Sequence, residues 1–237
     1  MKKKDFNWRV AGIVLDPLYR LTKKKLDWLH NLHRGERCFL LAPGPSLNKS
    51  NLDLLKAEHI IGINGMFAKR NLDFMYFVVE TNLFVRDYFS EYINLNCPVF
   101  YAGTAGIKYF SRLWKYHSDN IIPLKIRGYY EASDNLWKGT YTDGTAMNTA
   151  LQVIYHLGYD EVYILGADCH YENLTSHFDG SKSHVKDKIT MFNDWSTVFE
   201  MYEKNRIMFN KNHRQICNAT VGGKLEVFPR VNLEDII

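Results

Sequence analysis

Phe39-Leu40-Leu41-Ala42-Pro43-Gly44-Pro45-Ser46-Leu47 carries an apolar run straight into a Gly-Pro-Ser turn. A short apolar stretch closed by glycine and proline reads as a buried strand entering a tight turn, with a helix to follow. This is the first βα turn of an α/β protein. Gly44 lets backbone approach a ligand closely, and Ser46 with the N–H groups of the helix start suits a phosphate or nucleotide. The turn is neither a dinucleotide G-x-G-x-x-G nor a Walker A loop, because no second glycine and no Gly-Lys-Ser/Thr follows.

Outward from this turn the pattern repeats. Apolar runs occur at 38–42, 59–64, 74–80, 97–102, 120–126, 161–168 and 215–219. Most are nearly continuous in Val, Ile, Leu, Phe and Tyr, as strands covered on both faces require. Helical stretches separate them at 50–57, 82–93, 105–116, 145–157 and 187–210, with Ser50, Asn82 and Asp187 available as caps. Alternation of this kind predicts a single Rossmann-like α/β domain with a mainly parallel, doubly wound sheet. Residues 127–144 and 170–186 read as long connections that flank the ligand.

The composition fits such a fold. Of 237 residues, 46% are hydrophobic and 14% aromatic, which argues against disorder. A net charge of +4 is too mild for a nucleic-acid partner without a basic stripe or a recognised module, and neither is found beyond residue 25. Cys38, Cys97, Cys169 and Cys217 stand far apart without C-x-x-C spacing, the pattern of free thiols in a reducing cytosol. With no long apolar span and no signal peptide, the expected location is cytoplasmic.

Residues 1–36 form a separate basic, amphipathic helical arm ahead of the nucleotide-binding domain at 37–237. Within its first 25 residues Lys2, Lys3, Lys4, Arg9, Arg20, Lys23, Lys24 and Lys25 stand against only Asp5 and Asp16, and Pro17 breaks the helical spacing. The arm is expected to pack on its own domain or on a partner subunit in a homo-oligomer. Contact with the anionic inner face of the cytoplasmic membrane is the alternative.

Site candidates gather at the carboxyl ends of the strands, where open α/β sheets bind ligands. Asn64 ends the second run and Glu80, Thr81 and Asn82 the third; asparagine offers one acceptor and two donors to a base or ribose. Thr142, Asp143, Gly144 and Thr145 open a helix whose dipole favours an anion, and Gly158 stops it. Asp168 ends the strand 161–168. His170, Tyr171, His177, Asp179 and His184 then crowd one loop and offer a general base. Their spacing matches no standard zinc pattern, and no metal is assigned.

The ordered set A-P-G-P-S-L at 42–47, I-N-G at 63–65, T-D-G-T at 142–145, L-G-Y-D-E-V-Y-I-L-G-A-D at 157–168 and S-H-F at 176–178 resembles the MptE-like (DUF115) domain. That superfamily includes archaeal 6-hydroxymethyl-7,8-dihydropterin diphosphokinases, flagellin-glycosylation factors and proteins of bacterial capsule and lipopolysaccharide clusters. The tail at 217–231 resembles the polysaccharide branch. More distantly, the chain resembles small bacterial sialyltransferases that use CMP-N-acetylneuraminate without a metal, which implies a GT-A-like variant of the fold. By that resemblance Gly44, Pro45 and Ser46 meet phosphate and ribose, and Asn64 with Glu80, Thr81 and Asn82 approaches cytidine and sugar. Thr142, Asp143 and Gly144 then face the sugar carboxylate, and Tyr171 assists the departing phosphate. Those enzymes carry Thr-Ser-Gly where this chain has Thr142-Asp143-Gly144. Ser181 stands near the place of their histidine base, so His177 or His184 takes that role here.

The leading expectation is a metal-independent glycosyltransferase of bacterial surface-polysaccharide biosynthesis, passing a sugar from a CMP-sugar donor to a glycan acceptor. The catalytic set is His177, His184, Tyr171 and Asp168. The alternative is an ATP- and magnesium-dependent 6-hydroxymethylpterin diphosphokinase-like enzyme, with Asp143 and Asp168 sharing the ion. A non-catalytic nucleotide or glycan binder is the third reading.

Overall fold

The computed structural model describes residues 20, 22–80, 82–102, 120–129, 131–142, 145–170, 177–179 and 195–237. Helix α1 spans 22–29. Strands β1 (Arg37–Leu41), β2 (Ile60–Ile63) and β3 (Tyr76–Glu80) precede helix α2 (Asn82–Ile93). Strands β4 (Val99–Ala102), β5 (Ile121–Pro123), β6 (Ile126–Tyr129) and β7 (Thr140–Thr142) lead to helix α3 (Ala146–Leu157). Strand β8 (Glu161–Leu165), helix α4 (Ser196–Asn210) and strand β9 (Gln215–Asn218) follow.

Seven strands form one sheet in the order β5-β4-β3-β2-β1-β8-β9, with every pair parallel. The expected Rossmann-like, parallel α/β architecture is present. The chain builds outward from β1 to β5 in one direction, then returns to place β8 and β9 on the other side. Strand order therefore reverses between β1 and β8. In open α/β sheets the crevice at that reversal is where ligands bind, because the two following connections diverge to opposite faces.

The apolar runs are continuous because both faces are covered. Along β1, Cys38 and Leu40 join one core with Leu26 and Leu29 of α1, Ala150 and Ile154 of α3, and Tyr202 and Phe209 of α4. Phe39 and Leu41 join the other, with Leu47, Leu55, Met66, Tyr92 and Leu233. Alternate side chains of one strand thus serve opposite faces. Helix α3 starts on Thr145, whose side chain accepts from the Asn148 N–H, and stops at Gly158 in the left-handed region (φ 98°), as the sequence predicts.

Two expectations are corrected. The stretch 50–57 is not an α-helix; Pro45–Lys49 and Leu52–Leu55 form two short 3₁₀ turns. The side chain of Asn51, rather than Ser50, accepts from the Asp53 N–H and caps the second, a local bond that competes with regular helix. Residues 127–144 are also more than a connection, because β6 and β7 pair in parallel as a separate two-stranded sheet. This pairing shortens the run expected at 120–126, of which only 121–123 stays in the main sheet.

Helix α1 buries Thr22, Leu26 and Leu29, and the His156 Nε2–H donates to the Leu26 carbonyl at 2.9 Å. Residues 1–19, which carry the remainder of the basic arm, lie outside the described residues, as do the helix expected at 105–116 and the cap Asp187. Among the described residues no helix is long and apolar enough to cross a membrane. All four cysteines are free and buried.

Candidate active site

The loop after β1 and the loop after β8 are tied together at the point of strand reversal. The Ser46 hydroxyl donates to Asp168 Oδ2 at 2.9 Å, and the Ser46 N–H reaches the same oxygen at 3.3 Å. The Gly44 N–H donates to the Gly166 carbonyl at 2.9 Å. A Cβ at position 44 would lie 1.9 Å from Asp168 Oδ2 and 2.3 Å from the Gly166 oxygen. Gly44 is thus glycine because a neighbouring loop fills the space, a reason that the sequence alone conceals. Pro45 opens the first 3₁₀ turn with its φ already set, and Ser46 is buried.

The ends of β2 and β3 are joined in the same way. Asn64, held at a positive φ of 44°, accepts through Oδ1 from the Glu80 N–H at 3.1 Å. Glu80 is buried, and its Oε2 accepts from the Thr149 hydroxyl of α3 at 2.7 Å. A carboxylate inside the fold requires such a donor, so Glu80 acts as a strut between the sheet and α3. The Thr145 hydroxyl caps α3 and also accepts from Tyr202 Oη at 3.2 Å.

The segment 177–179 lies across the ends of β1 and β2. The Phe178 N–H donates to the Pro43 carbonyl at 2.8 Å, and Asn48 Nδ2 donates to the Phe178 carbonyl at 2.8 Å. The Phe178 ring lies under Lys69 Nζ, 4.6 Å from its centroid. His177 is consequently beside Gly65, with its Cδ2 3.6 Å from where a Cβ there would be. Gly44, Pro45, Ser46, Asn64, Glu80, Thr142, Thr145, Asp168 and His177 therefore all lie on strand ends or loops of the carboxyl side. Asn82 begins α2. Thr81, Asp143, Gly144, Tyr171 and His184 fall outside the described residues.

Two positioning groups escape a sequence reading. Gln152, fully buried on α3, accepts at Oε1 from the Ser133 N–H, the Thr140 hydroxyl and the Tyr141 N–H. Its Nε2 donates to the Tyr141 carbonyl at 2.8 Å, so one amide holds β7 and Thr142 against the start of α3. The only signal was a polar residue within an apolar helix. Arg230 donates to the carbonyls of Thr220, Gly222 and Gly223 and pairs with Glu226. The turn it holds presents the Lys224 N–H to the Asp168 carbonyl at 2.8 Å. Beside Asp168, burial and then the Asp168 charge push the Cys169 thiol up to about 12, which keeps it protonated.

Fold and site together define a Rossmann-like, parallel α/β protein whose candidate site residues gather at the carboxyl edge, around the β1/β8 reversal. No protein-family model matches the chain, and no curated protein matches it in sequence. Among solved structures it is similar to the sialyltransferase CstII from Campylobacter jejuni in complex with a substrate analogue, cytidine-5'-monophosphate. The TM-score is 0.53 at 13% identity, covering 84% of this chain and 85% of that one. The likeness is one of fold along nearly the whole length.

Proposed function

We infer that the protein is a glycosyltransferase taking a nucleotide-activated sugar, of the CMP-sugar kind, for bacterial surface-polysaccharide assembly. The observation that carries this reading is the convergence of Gly44, Ser46, Asn64, Asp168 and His177 at the strand-reversal edge, in a fold shared with a sialyltransferase. Because the Ser46 hydrogen is given to Asp168, its oxygen keeps lone pairs for a ribose hydroxyl. Asn64 presents its Nδ2 to the base or ribose, since Oδ1 is occupied by Glu80. The N-terminus of α3, capped by Thr145, is assigned to the donor's anionic groups.

In the reaction the acceptor hydroxyl oxygen bonds to the anomeric carbon while the carbon–oxygen bond to phosphate breaks. The electron pair leaves with the nucleotide phosphate, and the hydroxyl proton passes to a histidine. His177 suits this role because it lies over Gly65 at the crevice; His184 is the other candidate.

Thermal shift against CMP, CDP, UDP, GDP and ATP, each with and without magnesium, tests the reading together with turnover of a CMP-sugar panel in EDTA. Stabilisation by CMP without magnesium is expected. His177→Asn should lower turnover by about 10²–10⁴-fold while CMP binding persists. Stabilisation by ATP and magnesium alone, with AMP released from ATP as its diphosphate passes to a pterin alcohol, would establish the diphosphokinase reading, in which Asp143 and Asp168 hold the ion. Binding without turnover would leave a nucleotide or glycan binder.

A further inference from the structure

At the opposite, amino-terminal edge of the sheet, three ligand-type atoms converge on one point. His33 lies in the turn between α1 and β1, Glu36 immediately precedes β1, and His59 immediately precedes β2. Glu36 Oε2 is 2.6 Å from His33 Nδ1 and 3.2 Å from His59 Nδ1, and the three atoms lie within 4.8 Å of one another. A five-residue strand is about 16 Å long, so this cluster is remote from the crevice.

The backbone holds each of the three. The His33 N–H donates to Leu157, the His59 carbonyl accepts from Phe39, and the Glu36 carbonyl accepts from Asp160. Side-chain orientation is fixed as well. The His33 ring stacks on Tyr159 at 4.5 Å, and its Nε2 is 2.7 Å from Tyr76 Oη. Loss of the Nδ1 proton that faces Glu36 at 2.6 Å, with Nε2–H then donating to that phenol, gives the tautomer a metal requires. Tyr159 Oη also reaches His59 Nδ1 at 3.0 Å, a hydrogen bond that the ion would replace.

We propose that His33, Glu36 and His59 bind a divalent ion of the zinc class through two imidazole nitrogens and one carboxylate. Tetrahedral zinc at about 2.0–2.1 Å from its ligands sets them about 3.3 Å apart. The His59–Glu36 separation already has that value, and the His33–Glu36 pair opens by less than 1 Å to reach it. Magnesium and calcium are disfavoured because they prefer oxygen ligands throughout. The three protein ligands leave a fourth position for water. The ion staples α1 to the amino ends of β1 and β2, and it takes no part in the crevice chemistry proposed above.

Cobalt(II) and zinc titrated into the EDTA-stripped full chain test the proposal. Expected are one saturable ion per chain, tetrahedral d–d absorption with cobalt, and a raised melting temperature with zinc. Glu36→Gln, at a half-exposed position, and His59→Asn should abolish the absorption and the thermal shift. Tyr76→Phe should weaken binding by about 10–100-fold while circular dichroism stays unchanged. Absence of saturable binding by the wild-type chain overturns the proposal, and so does wild-type affinity in Glu36→Gln and His59→Asn.

Discussion

Gly44→Ala tests whether the strand-reversal edge is built as described. The added methyl would lie 1.9 Å from Asp168 Oδ2 and 2.3 Å from the Gly166 carbonyl oxygen. The carboxylate can rotate aside, but the carbonyl belongs to backbone, so the β1 and β8 loops must part by about 1 Å. Overpacking of this kind costs about 1–3 kcal/mol. Rotating Asp168 away also breaks its charge-assisted bonds to Ser46, about 1.5–3 kcal/mol. The sum is about 2.5–6 kcal/mol, or roughly 5–24 °C in melting temperature for a chain of this size. Differential scanning calorimetry gives the first readout and CMP titration the second, which should fall at least tenfold. Asp168→Asn keeps the space but removes the charge, so it should show only the hydrogen-bond part. A Gly44→Ala protein that melts within 2 °C of wild type and binds nucleotide normally would refute the reasoning.

Gln152→Leu leaves the buried Ser133 N–H and the Tyr141 N–H without their acceptor, so urea denaturation should show a loss of about 2–6 kcal/mol. Arg230→Met should free the 220–223 turn and raise the donor KM more than it lowers kcat, because it acts on Asp168 through Lys224. His156 gives stability a pH dependence. Its Nε2–H donates to Leu26, and its buried Nδ1 has no partner, so burial holds the folded imidazole down at about 4, against 6.5 when unfolded. The unfolded chain therefore binds the proton first; stability is full above pH 6.5 and declines toward pH 4, by about 2 kcal/mol at pH 5. Chemical denaturation at pH 7.5 and pH 5 measures this, and His156→Phe should remove that part of the difference.

The sequence by itself determined the α/β class, the parallel sheet and the gathering of the candidate residues at its carboxyl edge. Those follow from local facts: apolar runs too continuous for a half-exposed strand, and Gly44, Asn64 and Asp168 at their ends. It also set the limits of α3, since Thr145 and Gly158 act on backbone groups within one turn. Only the tertiary structure decided which of these residues meet. The β1/β8 pairing that creates the reversal joins segments more than 100 positions apart, Arg37 against Glu161, and no local pattern encodes it. Asp168 against Ser46, Glu80 against Thr149 and Gln152 against β7 are long-range hydrogen bonds, each dictated by burial. The same holds for His59, which joins the local pair His33 and Glu36 only because β1 and β2 start side by side.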